Sequence, residues 1–190
     1  MLPIVLGSSS KSRRQILEKH LKFTCISPDI DEKAIRYDDP KMLTLMIANA
    51  KLKAIESKCK NSIVICFDQV ISVNDTILEK PESKEQAKEY MRLYNTYPAV
   101  CISGLVAKNT KTGVKKEQNV VTVQEFNTHN NQIPDSIIDD VIKKGDCLYC
   151  AGALVVEDSL LKPYIKVNDY QDAIMGMPTK EVLELIKQVQ

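Results

Sequence analysis

Residues 63–67, Ile-Val-Ile-Cys-Phe, form an unbroken apolar run followed at once by Asp68. Such a run reads as a buried strand. It fixes the class of fold, because a buried strand needs a sheet and covering elements around it. It also puts a carboxylate at the end of a rigid element, where it can serve as a base or hold a metal. Taken by itself, the same residue reads more readily as the turn-initiating Asp of a hairpin.

Around this strand the signals alternate unevenly. Residues 3–6 read as a second buried strand and residues 23–27 as a third, ended by Pro28. Between them Ser10 can cap a helix with Ile16, Leu17 and Leu21 inward. Asp39 and Pro40 supply the N-cap and first position of a helix that places Leu43, Met46, Ile47, Ala50 and Ala54 on one face. A hairpin over residues 69–78 turns at Asn74-Asp75. Ser83 and Gln86 form a capping box before Ala87, Tyr90, Met91 and Tyr94 at helical spacing.

Residues 99–108 and 114–126 are β-rich and separated by a second hairpin. Ile137, Ile138, Val141 and Ile142 then share a helix face that stops at Lys143-Lys144-Gly145. Short strands are expected at 154–156 and 164–167, and Pro178 opens a last helix with Val182, Leu185, Ile186 and Val189 inward. The expectation is a mixed α/β fold over residues 1–190 as a single domain, with a long mixed sheet and two lobes flanking a cleft. The alternation is too irregular for a simple doubly wound sheet.

With 26 basic and 25 acidic side chains in 190 residues, the formal charge is 26 − 25 = +1. That balance argues against a duplex nucleic-acid binder, and any anion must be met by a local group of cations. No apolar run approaches a membrane span. The opening MLPIVLGSSSKSRR carries its charge after the apolar stretch, the reverse of a secretory signal. The six cysteines then read as reduced thiols. Cys147 and Cys150 make a lone CxxC, the basis of a zinc or redox alternative, but zinc wants about four ligands. His20 and His129 are isolated, which disfavours a histidine-based triad.

Carboxylates, lysines and arginines therefore remain as candidates. The SSSKSRR segment brings hydroxyls, a helix start and two guanidiniums together, either an oxyanion site or a solvated cap. Asp31 and Glu32 read as metal ligands or loop charges. Lys51 flanks an apolar helix stripe and could simply snorkel. Lys80 closes the hairpin. Phosphate needs the cations and a divalent ion needs the oxygens, and metal-assisted phosphoanhydride hydrolysis uses both.

The pieces LGSSSKSRRQIL, SPDIDE, IANAKLKAI, VICFDQV, LEKP, CISG, CAGALVVED and IMGMP, in this order along nearly the full chain, resemble the Maf family of nucleoside triphosphate pyrophosphatases. The resemblance implies a fold similar to the inosine-triphosphate pyrophosphatases and hydrolysis of a nucleoside triphosphate to monophosphate and pyrophosphate. It also implies a house-cleaning role in nucleotide metabolism, a cytoplasmic location, a homodimer, and a divalent cation such as Mg, Mn or Co. Asp68 matches the family's proton acceptor. Ser8, Arg13, Arg14, Lys51 and Lys80 match its triphosphate-binding positions, and Glu32 matches a metal ligand acting with Asp68.

Asp68-Gln69-Val70 and the CAG…E pattern look like the 7-methyl-GTP pyrophosphatase branch, with Ser12, Gln69 and Glu157 at the positions that set base choice. A carboxylate at 157 only accepts hydrogen bonds, which suits the donor edge of a guanine. The alternatives are a dTTP, UTP or other modified-nucleotide pyrophosphatase, or a nucleotide-binding cell-division regulator without catalysis. Lys11, Ser12, Glu79 and Asp158 depart from the family pattern, and residues 159–171 match it poorly.

Overall fold

The computed structural model describes residues 2–126, 131–166 and 170–190. Its elements run β1 (Ile4–Gly7), α1 (Lys11–Leu17), β2 (Thr24–Ile26), α2 (Pro40–Ile55), β3 (Ile63–Val73), β4 (Thr76–Leu78), α3 (Lys84–Leu93), β5 (Ala99–Asn109), β6 (Lys115–Gln124), α4 (Asp135–Lys144), α5 (Gln171–Ile174) and α6 (Thr179–Val189). The strands make a six-stranded mixed sheet in the order β2-β1-β3-β5-β6, with β4 paired to β3. Strand β1 is parallel to both neighbours, Leu6 lying opposite Cys25 on β2 and Ile65 on β3. Strand β4 folds back antiparallel on β3, Ile71 facing Leu78.

Strand β3 corrects the sequence reading. The chain does not turn after Phe67 but continues to Val73, with every residue except Gln69 buried. Asp68 therefore sits in the middle of a long strand. The turn chemistry belongs to Asn74 and Asp75, whose φ angles of 48° and 60° are the left-handed values a tight hairpin needs. A carboxylate is tolerated inside the strand because a lysine meets it.

Helix α2 supplies that lysine. Asp39 Oδ1 accepts the N–H groups of Lys41 at 2.7 Å and Met42 at 3.2 Å, and Pro40 starts the helix as expected. Its buried face is Leu43, Thr44, Ile47, Ala48, Lys51, Leu52 and Ile55, rotated from the expected stripe, and Met46 is 41% exposed. Two polar side chains displace the methionine from the inside. Thr44 Oγ1 donates to the Pro40 carbonyl at 3.0 Å, and Lys51 finds carboxylates.

The chain divides into two compact units. One comprises Met1–Gln69, Ile102–Val120 and Gly176–Gln190, the other Val70–Cys101 and Val121–Met175. In the first, Val5, Ala48, Leu52, Ile55, Val64, Cys66 and Val106 form a core. In the second, Ile71, Met91, Tyr94, Phe126, Ile138, Val141 and Leu154 do so. Each fully buried side chain of this kind contributes about 1.5–3 kcal/mol.

The capping box is present in altered form. Ser83 Oγ accepts from Gln86 N–H at 3.1 Å, while Gln86 Oε1 accepts from Glu82 rather than from Ser83. Helix α4 ends with Lys143 and Lys144 in its last turn and Gly145 at φ 87°. No strand forms at 154–156, which follows a 3-10 turn over Ala151–Ala153 and runs into a turn at 156–157. The strand expected at 164–167 is reduced to one antiparallel bridge, Phe126 to Ile165. Val167 and His129 lie outside the described residues. Among those residues no helix is long and apolar enough to cross a membrane.

Candidate active site

Four charged side chains from four segments meet in the first unit. Lys51 Nζ donates to Asp68 Oδ1 at 2.7 Å and lies 3.1 Å from Glu32 Oε2. The Lys51 and Asp68 side chains are 7% and 9% exposed, that of Glu32 50%. Glu32 opens a 3-10 turn (Glu32–Ala34) whose cap is Asp31, accepting from Lys33 N–H at 3.1 Å. The acidic pair is thus resolved: Asp31 holds the turn and Glu32 reaches the lysine.

The guanidinium of Arg13 lies over the Phe67 ring, 4.7 Å from its centroid, a contact worth about 0.5–2 kcal/mol. Burial lowers the Arg13 pKa, and the charges of Asp68 and Glu32 oppose that shift. For Asp68, burial pushes the carboxyl upward. The Lys51 charge and hydrogen bond and the Arg13 charge pull it down, and Glu32 adds to the rise. A buried carboxyl with raised proton affinity is a better proton acceptor than an ordinary carboxylate.

Gly176, in the turn before α6, has φ 86°, and a Cβ there would come within 2.9 Å of Gln69 Oε1 and 3.1 Å of Arg13 Nε. Only glycine lets this backbone press against both side chains. Neither Gly176 nor the Phe67 platform was assigned a role from the sequence. Gly176 was nonetheless signalled by Gly-Met-Pro ahead of a helix.

The serine loop takes the capping alternative, with Ser10 as the cap. Ser8 Oγ accepts from Ser10 N–H at 3.2 Å, Ser10 Oγ accepts from Arg13 N–H at 3.4 Å, and the Ser10 and Ser12 hydroxyls share a contact of 3.0 Å. These hydroxyls hold the loop and cap α1, a seven-residue helix. Arg13 is the group of this segment brought to the carboxylates. Arg14 is exposed, and no contact among the described residues joins it, Ser8 or Ser12 to the cluster.

Lys80 and Glu157 belong to the second unit, and both are exposed. Their charges act on one thiol. Burial, then Glu157, Cys147 and Asp146, push Cys150 up to about 11, and Lys80 opposes the rise. The Glu79 carbonyl accepts from Gly152 N–H at 3.0 Å. Asp158 accepts Lys144 Nζ with both oxygens, at 2.6 and 2.9 Å, and Leu160 N–H at 2.9 Å. Asp158 therefore anchors the bend that carries Glu157. Burial also raises the Cys147 thiol, which makes both CxxC sulfurs weak nucleophiles.

Glu32 and Asp68 are the residues of this cluster that could hold a hard divalent cation. Two carboxylate oxygens, from Glu32 and Asp68, already flank one cationic position, and Mg²⁺-type ions take one or two carboxylates with phosphate oxygens and water completing the shell. Among the described residues no group of three or more His, Cys, Asp or Glu is disposed to hold a metal.

Residues 3–189 match the family described as "Maf-like protein". A "7-methyl-GTP pyrophosphatase" of Dictyostelium discoideum is 40% identical over 98% of this chain and 97% of its own. One of the same name from Idiomarina loihiensis is 31% identical over 98% of this chain and 94% of its own. Among solved structures, a HAM1 protein from Coxiella burnetii is similar over 69% of this chain and 76% of its own, with TM-score 0.38 and 14% identity. With a family match spanning almost every residue and relatives alike along nearly their whole length, the chain belongs to the Maf family.

Proposed function

We propose that this protein hydrolyses a nucleoside triphosphate to the monophosphate and pyrophosphate, taking 7-methyl-GTP or a similarly modified purine nucleotide. The observation that carries the reading is Lys51, held 2.7 Å from Asp68 and 3.1 Å from Glu32. With Arg13 beside them, two cations face two carboxylates, so the four charges cancel. A triphosphate brings excess negative charge, and a divalent ion, which Glu32 and Asp68 are the residues to hold, would offset part of it. When bound, that ion would polarise the phosphoryl oxygens and neutralise the leaving group.

The chain's own groups account for the rest. Lys51 engages Asp68 Oδ1, which orients the carboxylate so that Oδ2 takes a proton from the attacking water. The water oxygen bonds to the α-phosphorus as the bond from that phosphorus to the α–β bridging oxygen breaks. The electron pair leaves with pyrophosphate, and the proton stays on Asp68. Arg13, stacked on Phe67 and backed by Gly176, presents fixed N–H donors to phosphoryl oxygens. Lys80 and Glu157, both in the second unit, take their roles from the family pattern, Lys80 as a triphosphate-binding cation. Glu157 reads the base, accepting from the ring N–H and amino group of guanine and favouring the positive charge that 7-methylation confers. Gln69 lies beside Arg13 and is a second position for substrate choice.

The names of the relatives support the reaction and substrate. The divalent cation, a cytoplasmic setting and a homodimer belong to the same proposal. A pyrophosphate-release screen of the purified protein against canonical and methylated nucleoside triphosphates, with Mg²⁺, Mn²⁺ and Co²⁺, tests it. The expected result is preferential release from 7-methyl-GTP, abolished by chelator. Preference for dTTP or UTP would overturn the substrate, and release in excess chelator would remove the metal.

A further inference from the structure

Gly152 ties two chain segments of the second unit together. Its N–H donates to the Glu79 carbonyl at 3.0 Å, and its own carbonyl accepts the hydroxyl of Tyr94 at 2.6 Å. Tyr94 follows α3, is 2% exposed, and stacks on Phe126 with centroids 4.8 Å apart and planes 8° from parallel. Gly152 has φ 62° and the next residue, Ala153, φ 54°. Two successive left-handed residues, one carrying a Cβ, cost about 1–2 kcal/mol and persist only when their surroundings hold them. A Cβ on Gly152 would lie 2.6 Å from the Tyr94 oxygen, so the hydroxyl fills the space the glycine leaves.

The two segments tied in this way carry the side chains that matter. Glu79 precedes Lys80, and the Gly152 segment runs on to the bend in which Asp158 N–H bonds the Val155 carbonyl at 3.0 Å and Glu157 projects. We infer that Tyr94 is a positioning residue for substrate recognition: its hydroxyl, through Gly152, sets the placement of Lys80 and Glu157. That both charges act on the single Cys150 thiol agrees with their shared anchorage. The inference rests on the roles proposed for Lys80 and Glu157.

Tyr94→Phe keeps the ring and removes the hydroxyl. KM for 7-methyl-GTP should rise about five- to tenfold, the 7-methyl-GTP over GTP preference should fall in proportion, and kcat should stay within about twofold, as expected for loss of one buried hydrogen bond. Ile138→Ala, in the same core at 0% exposure, is the control for mere core loosening. It should lower Tm at least as much while leaving KM and the preference unchanged. Glu157→Gln separates the failures. If it shifts the preference and Tyr94→Phe does not, the positioning role is wrong and the base-reading role stands. If Glu157→Gln leaves the preference unchanged, the base-reading role falls and this inference with it. Equal KM changes in Tyr94→Phe and Ile138→Ala would mark the tyrosine as structural only.

Discussion

Lys51→Met removes one ammonium and keeps most of the side-chain volume, leaving Asp68 in a buried strand without its nearest counter-charge. Both side chains of the pair are below 10% exposed, so the cost is that of breaking a buried pair, about 3–5 kcal/mol. The Glu32 contact, half exposed, adds only about 0–1 kcal/mol. Asp68 can relieve the penalty by binding a proton. Burial already raises its pKa, and the variant loses two of the three influences that oppose the rise, leaving Arg13.

The sign follows from linkage. With the folded pKa above the unfolded one, the deficit is absent below the unfolded value and grows as pH climbs through the folded value. For a chain of this size each kcal/mol moves Tm by about 2–4 °C, so the variant should melt roughly 6–24 °C below the wild type at pH 8. The gap should be much smaller at pH 5. Circular dichroism melts at the two pH values measure it. Equal gaps at both, or no gap at pH 8, would refute the buried pairing.

Gly176→Ala places a Cβ against Gln69 and Arg13 at a left-handed φ. It should cost about 1–2 kcal/mol of stability and raise KM, read from melts and steady-state kinetics. Arg13→Lys loses the planar stack on Phe67 and the fixed fork of donors. It should lower kcat/KM for pyrophosphate release about 10- to 100-fold with little change in Tm, since the cation is retained. Activity equal to wild type in either variant would remove that residue from the site.

Much of this was legible because local chemistry and tertiary structure agree. Asp39-Pro40 begins α2, Asn74-Asp75 makes its hairpin turn, and Lys143-Lys144-Gly145 ends α4, since each depends on neighbours in the chain. The errors lie where distant partners decide. Asp68 looked like a strand end because an isolated carboxylate would break a buried strand, and nothing local reveals that Lys51 answers it seventeen residues away. The same lysine rotated the buried face of α2 and put Met46 outside. The 154–156 segment is apolar enough for a strand, yet the left-handed Gly152-Ala153 pair and the Tyr94 hydroxyl bend it away. In SSSKSRR the residue types were legible, but not which cation would turn to the carboxylates.

Single-turnover pyrophosphate release from 7-methyl-GTP by Asp68→Asn, set beside nucleotide binding by the same variant, bears most directly on the chemistry. The amide still accepts a hydrogen bond from Lys51 but cannot take the proton of a water molecule. Release should fall by at least about 100-fold while the nucleotide dissociation constant changes only a few-fold. Release within a few-fold of the wild type would mean that Asp68 is not the base.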